Sequence, residues 1–365
     1  EILMVERQGG FFQEYLNQPR SRWYYNLLSI LLWPFSLIFR IIVFLRATPY
    51  KIGLLKAQKL SHPVISIGNL TTGGTGKTPV EMYLMEVCAE MKLRPLLLSR
   101  GYGAENSEPK VIRAGDDMKE LPDELKMIHR NFPDVAIAYC RDRLKAYLLA
   151  LTKFEFDLVL LDDGFQHIQI ERDLDIVVLD SKAPFGSKRL LPSGNLREPG
   201  RSLKRADLVL INFKSRENFN TIKALSRVIE RPLLAGNYLV SEIVSLQDNE
   251  RIEVSKLSGK KEGLLAAIGN PASFIEVMSS LEISIEKSFL FRDHHRFTAE
   301  DMDMIASRAD NAGLECLFTT EKDAVKIENI CFIKPPVYVI KIKFRLEHGA
   351  DRLTGRIRRI APETS

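Results

Sequence analysis

The stretch 67–79, IGNLTTGGTGKTP, decides how this chain is read. It follows an apolar run of strand length, Val64–Ile67, and opens a helical pattern, Thr78–Met91. Gly76, Lys77 and Thr78 fill the last three places of the phosphate-binding pattern G-x-x-x-x-G-K-[ST], but Thr71 stands where that pattern has its first glycine. Gly73, Gly74 and Gly76 let the backbone turn its N–H groups, with that of Thr75, around an anion. The start of the helix adds partial positive charge. Lys77 has the reach for β- and γ-phosphates, and the Thr78 hydroxyl is a ligand for Mg²⁺. Strand, three-glycine loop, GKT and helix together indicate a nucleotide site.

Further apolar runs at Pro95–Ser99, Val135–Tyr139, Leu158–Leu161, Ile176–Leu179 and Leu208–Ile211 do not alternate with polar residues. Such runs are buried on both faces, as in a parallel sheet covered by helices. The expected fold is therefore α/β, a doubly wound, mostly parallel sheet of the P-loop NTPase kind. FDLVLLDDGFQH (156–167) ends a strand in Asp162 and Asp163, which a Walker B element needs for holding Mg²⁺ beside the loop. The polar stretch 213–222 marks a boundary between a core over 61–215 and a second, smaller α/β lobe over 216–365. That lobe reads as strand, turn and helix at 263–281, a strand at 282–291 and a capped helix at 298–313. A strand with a polar turn at 314–327 and a closing strand in PVYVIKIKF (336–344) complete it. A cleft between two lobes suits a two-substrate reaction.

Residues 1–60 form a third region. They hold eight Lys/Arg against three Glu, a surplus that equals the net charge of +5 of the whole chain. This basic end flanks WYYNLLSILLWPFSLIFRIIVFL (23–45), whose Trp and Tyr residues favour bilayer interfaces. Asn26, Pro34 and Arg40 interrupt the stretch. The expectation is two apolar helical pieces in the interface, broken near Pro34; a single-span anchor and a buried core helix are the alternatives. No small-residue cleavage site follows, which points away from a removed signal peptide. The four cysteines are scattered without a C-x-x-C pair, which argues against a zinc site or a disulfide framework. No nucleic-acid recognition module accompanies the basic charge, so a nucleic-acid partner is not expected. TTEKDAVK (319–326) approaches a guanine-reading turn, but Lys322 and Asp323 are adjacent, so ATP is preferred to GTP. A P-loop ATPase that switches a protein partner at the membrane is the competing class. Thr72 stands where partition ATPases carry a lysine, which disfavours it.

In order and spacing, GNLTTGGTGKTP, LLLSRGYG (96–103), CRDR (140–143), LLDDGFQH (160–167), LLPSGNLREP (190–199), IGNP (268–271), FRDHHRF (291–297) and TTEKDAVK resemble the lipid A 4′-kinases. The resemblance covers nearly the whole chain. It implies transfer of the ATP γ-phosphate to the 4′-hydroxyl of an acylated glucosamine disaccharide 1-phosphate. It also implies action at the cytoplasmic face of a Gram-negative inner membrane; a monomer is expected. The family pairs an acid with a histidine as general base. Here the acid is Asp116 or Asp123, with Asp123 preferred for its spacing to Asp142-Arg143, and the histidine is His294. His167 is a second candidate, with a structural or nucleotide-adjacent role favoured. Arg143, Arg197 and Lys322 are candidates for stabilising phosphate charge, and Arg100, Tyr102 and Glu198 for contacting substrate.

Overall fold

A computed structural model describes residues 23–101, 108–113, 115–116, 121–213, 219–253, 257, 260–293, 295–327, 330 and 334–361. β1 (Val64–Asn69) is buried along its whole length. It lies parallel between β5 (Leu158–Asp162) and β6 (Leu174–Asp180). Outward from these run β2 (Pro95–Ser99), β4 (Ala136–Tyr139) and β3 (Lys110–Ile112) on one side. β7 (Leu208–Phe213) and the start of β8 (Leu233–Ser245) lie on the other. Only β3 is antiparallel to its neighbour among the pairs of this group. The connection from β1 passes over β5 to β2, while that from β5 returns over β1 to β6. The loop after β1 therefore leaves the sheet where crossovers diverge, the place at which open α/β sheets bind ligands.

Helices α2 (Lys77–Glu90), α3 (Asp123–Asn131), α4 (Arg143–Leu151) and α5 (Phe219–Ser226) connect these strands. One apolar cluster gathers Leu96, Leu98, Val159 and Leu161 with Ala146 and Tyr147 of α4. Another gathers Val177, Leu179, Val209 and Ile211 with Phe165 and Ile222.

By contacts the described residues form two compact units that divide at Tyr238. Those from Tyr238 to Lys343 form one unit, and the described residues before Tyr238 group with those from Phe344 onward. α5 lies within the first unit. β8 and β12 (Val337–His348) are long strands whose two halves serve different units. A reading by local polarity does not detect a boundary inside a continuous strand. After β12 the chain forms a further helix, α9 (Ala350–Ile360), so the expected closing strand is not the last element. The second unit holds β9 (Glu262–Ala266), β10 (Ile285–Leu290) and β11 (Cys316–Thr320), with parallel pairs β10–β9, β9–β11 and β11–β12. Its helices are α6 (Pro271–Ser280), α7 (Ala299–Asn311) with a Thr298/Asp301 capping box, and α8 (Glu321–Ile327). α8 replaces the polar turn expected after β11.

The N-terminal apolar stretch is one helix, α1 (Trp23–Lys51), with Pro34 and Pro49 inside it. The expected break at Pro34 does not occur. Proline removes one backbone donor, but Ser29 and Ser36 bond the helix to the first unit on both sides of it. Nor is α1 a core helix. Tyr25, Ser29 and Ser36 are buried, while Ile30, Leu31, Phe35, Ile41 and Leu45 are each more than half exposed. By length and composition it is sufficient to cross a bilayer.

Candidate active site

The loop between β1 and α2 is built in two parts. Its first part is extended. Thr71 forms an antiparallel bridge with Leu196, Arg197 N donates to Leu70 O at 2.8 Å, and Thr72 N donates to Asn195 O at 2.8 Å. Thr71 thus needs no left-handed conformation, which explains why threonine serves where the generic pattern has glycine. The second part turns. Gly73 and Gly76 have φ of 105° and 83°, in the region where glycine is favoured. Space beside Gly74 is open, with nothing within 4 Å of where a Cβ would be. Thr75 is buried and held from two strands. Asn69 Nδ2 donates to its hydroxyl at 2.9 Å, and Asn212 Nδ2 to its carbonyl at 2.8 Å. Its own N–H donates to Gly73 O at 3.0 Å, so Thr75 stiffens the loop from within. Lys77 and Thr78 occupy the first turn of α2.

Two carboxylates end β5 and differ in environment. Asp163 has φ 47°, uncommon for a residue other than glycine. Lys77 Nζ lies 3.3 Å from its carboxylate and Arg197 Nη1 2.7 Å. Burial opposes ionisation of Asp163, but these two cations outweigh it and hold the carboxyl down at about 2. Arg197 Nη1 also reaches Gln166 Oε1 at 3.4 Å. Asp162 instead accepts from Ser99 Oγ at 2.6 Å and is hydrogen-bonded to Glu81 of α2. Burial, then the charge of Asp163, pushes the Asp162 carboxyl up. Burial, then Asp162, pushes that of Glu81 well above its ordinary value. Both shifts favour a protonated carboxyl between Glu81 and Asp162. Glu81 is a residue that the sequence reading missed. Its signal was an acid in register with buried Leu84, Met85 and Cys88 on one face of a helix.

Arg143 is buried at the first position of α4, with Asp142 as N-cap, and donates from Nη2 to Asp162 O at 3.1 Å. Burial lowers its pKa against the pull of Asp162 and Asp163. Arg100 is exposed after β2, within electrostatic reach of Arg143. Glu198 is buried and engaged by both terminal nitrogens of Arg205, at 2.7 and 3.1 Å. Arg205 in turn covers the Phe165 ring at 4.4 Å. The Glu198 carboxylate is thus committed to bracing the loop. His167 is held neutral, its pKa lowered to about 4 by burial and then by Arg143, Arg46 and Arg172.

The two candidate acids are placed differently. Asp116 is exposed and accepts from Arg113 N at 2.8 Å inside its own turn. Asp123 begins α3, whose next residue, Glu124, lies within electrostatic reach of both Glu81 and Asp162. Tyr102 and His294 lie outside the described residues. In the second unit, Lys322 Nζ pairs with Asp293 at 3.3 Å. Asp323 is fully buried and accepts from Ala267 N, Thr320 Oγ1 and Lys326 Nζ at 3.0, 2.9 and 2.8 Å. TTEKDAVK is thus a strand-to-helix junction locked by its own polar groups.

Oxygen donors suited to a hard divalent cation are present at the end of β5. Asp162 and Glu81 bring two buried carboxyls together, and Glu81 Oε1 has no hydrogen-bond partner. Asp163 is already neutralised by Lys77 and Arg197. Among the described residues no group of three or more His, Cys, Asp or Glu side chains gathers as a metal cluster.

A family model described as Tetraacyldisaccharide-1-P 4′-kinase matches residues 28–360. The tetraacyldisaccharide 4′-kinase of Halothermothrix orenii is 36% identical over 350 residues, covering 89% of this chain and 90% of its own. That of Shewanella halifaxensis is 33% identical over 343 residues, covering 93% and 97%. The crystal structure of LpxK from Aquifex aeolicus in complex with ATP is similar, with a TM-score of 0.72 at 31% identity, covering 91% of this chain and 99% of that one. The chain therefore belongs to the tetraacyldisaccharide-1-phosphate 4′-kinase family, enzymes that transfer phosphate to a hydroxyl group.

Proposed function

We propose that this protein moves the γ-phosphate of ATP to the 4′-hydroxyl of a tetraacyl glucosamine disaccharide 1-phosphate, a step in lipid A synthesis. The observation that carries this reading is the convergence of Lys77 and Arg197 on Asp163 beside the glycine turn, in a chain that matches the family along its length. In this reading Gly73, Gly74 and Gly76 admit the phosphates to the backbone. Lys77 and Arg197 are cations that Asp163 holds ready for the charge of the transferring group. Thr78 and Asp162 are the residues to hold Mg²⁺, with Asp163 nearer to its cations than to a metal role. When bound, Mg²⁺ neutralises charge on the phosphate oxygens. Arg143 braces the carbonyl of Asp162.

Asp123 with His294 is the proposed general base toward the sugar hydroxyl. The start of α3 beside the Glu81–Asp162 pair supports Asp123, because the turn holding Asp116 already uses its carboxylate. Arg100 and Tyr102 are proposed substrate contacts. The exposed apolar side of α1 supports action at a membrane surface, on the cytoplasmic face of the inner membrane where ATP is available. We take the acting unit to be a monomer.

The test is direct. Purified protein in detergent, given labelled ATP, Mg²⁺ and the disaccharide 1-phosphate, is expected to yield a 4′-phosphorylated lipid. No labelled lipid, with ATP hydrolysis stimulated by a protein partner instead, would overturn the reading.

A further inference from the structure

Helix α1 carries two serines in an otherwise apolar stretch, and neither faces outward. Ser29 and Ser36 are seven residues apart, two turns along one face. They are 3% and 7% exposed. A helical serine in apolar surroundings commonly returns its hydroxyl to its own helix. Here the hydroxyls serve another segment. Ser29 Oγ donates to Ser193 O at 3.0 Å, lies 3.2 Å from Ser193 Oγ, and is also met by the Arg189 guanidinium. Ser36 Oγ donates to Leu190 O at 3.0 Å and accepts from Ser193 N at 3.0 Å. Its contact with Leu32 O in its own helix is longer, at 3.5 Å.

The segment so gripped is the one that shapes the nucleotide loop. Asn195 O receives Thr72 N, Leu196 bridges Thr71, and Arg197 both bonds Leu70 O and pairs with Asp163. The far end of α1 reaches the same machinery from the other side. Arg46 Nη2 donates to Gln166 O at 2.7 Å, and Gln166 Nε2 donates to Asn69 O at 2.9 Å.

We propose that Ser29 and Ser36 are positioning residues for phosphoryl transfer. They hold 189–197 so that Arg197 and the extended start of the loop keep their register. α1 then has two separable roles on two faces: a polar inner stripe that orders the ATP site and an apolar outer face that meets lipid. This rests on the reading of 70–78 as the ATP site. It extends that reading to residues that touch neither ATP nor lipid.

The experiment compares three full-length variants with wild type in detergent micelles and on phosphatidylglycerol vesicles. Ser29→Ala/Ser36→Ala is expected to sediment with vesicles as wild type does. Its KM for ATP should rise about tenfold and its kcat fall by a similar factor, with the lipid KM unchanged. Ser36→Ala alone should give a smaller shift in the same direction, which keeps the test open if the double variant folds poorly. Leu31→Ser/Ile38→Ser, on the exposed face, should lose vesicle binding and keep wild-type ATP parameters in detergent. Wild-type ATP parameters in both serine variants would overturn the proposal, as would a loss of vesicle binding that parallels the exposed-face pair. If wild type binds ATP but phosphorylates no lipid, the functional reading fails. The ATP affinities of the variants, followed with a fluorescent ATP analogue, still decide this inference.

Discussion

Replacing Glu81 by glutamine keeps the shape of a buried side chain and removes its ability to ionise. Glu81 is 2% exposed and hydrogen-bonded to Asp162, while one of its oxygens has no partner. In the unfolded chain a glutamate loses its proton near the ordinary value of 4.5, whereas the folded carboxyl holds it well above that, through burial first and Asp162 second. Above pH 4.5 the folded state therefore binds the extra proton, so its stability falls as pH rises. The slope is about 1.4 kcal/mol per pH unit until the folded carboxyl itself titrates. In the Glu81→Gln variant the side-chain amide donates to Asp162 at every pH and carries no such slope. The expected result is that wild type and Glu81→Gln unfold together near pH 4.5 and separate above it. The gap should widen by about 1.4 kcal/mol for each pH unit over which the folded carboxyl keeps its proton, with the variant the more stable. For a chain of this size that is about 2 °C in Tm per pH unit. Thermal unfolding in detergent with a chelator, followed from about pH 4.5 to about pH 7.5, measures it. A gap that stays constant across this range would show that Glu81 is ionised when folded, and the account of a protonated carboxyl would fail.

Lys77→Ala should abolish lipid phosphorylation, by at least about a hundredfold, with the melting temperature preserved; retained activity would mean that the loop is not the ATP site. Asp123→Ala should cost more than about a hundredfold in kcat and Asp116→Ala only a small factor, and the reverse order would transfer the base to Asp116. Thr71→Gly restores the generic pattern, yet it should weaken stability by about 1 kcal/mol and leave ATP affinity no better, because Thr71 lies in an extended pairing. Tighter ATP binding in that variant would contradict the geometry.

Much of this protein was legible in order along the chain. The non-alternating runs from Val64 to Ile211 became a parallel sheet because strands buried on both faces need no polar alternation. Gly73, Gly76, Lys77, Asp162 and Asp163 could be proposed from local pattern, since a glycine turn and a strand-end acid are built from neighbours in sequence. Glu81 was missed because its partner lies on a different element, at the end of β5. Glu198 reads in sequence as a substrate contact, and only the fold shows that Arg205 engages its carboxylate. The long strands β8 and β12 concealed the division between units, because a boundary of contacts leaves no polar mark inside a strand.

IGNLTTGGTGKTP by itself determined that this chain turns between β1 and α2, since the left-handed places need glycine and those glycines are present. The apolar N-terminal stretch likewise announced a helix long and apolar enough to cross a bilayer. Only the tertiary structure decided why Thr71 is allowed, which acid is pushed toward its protonated form and which pairs with cations. It also decided that two serines of the apolar helix face the segment that pairs with the loop after β1. Each of these depends on partners far along the chain and on another element, and such pairings are set by packing, not by local sequence.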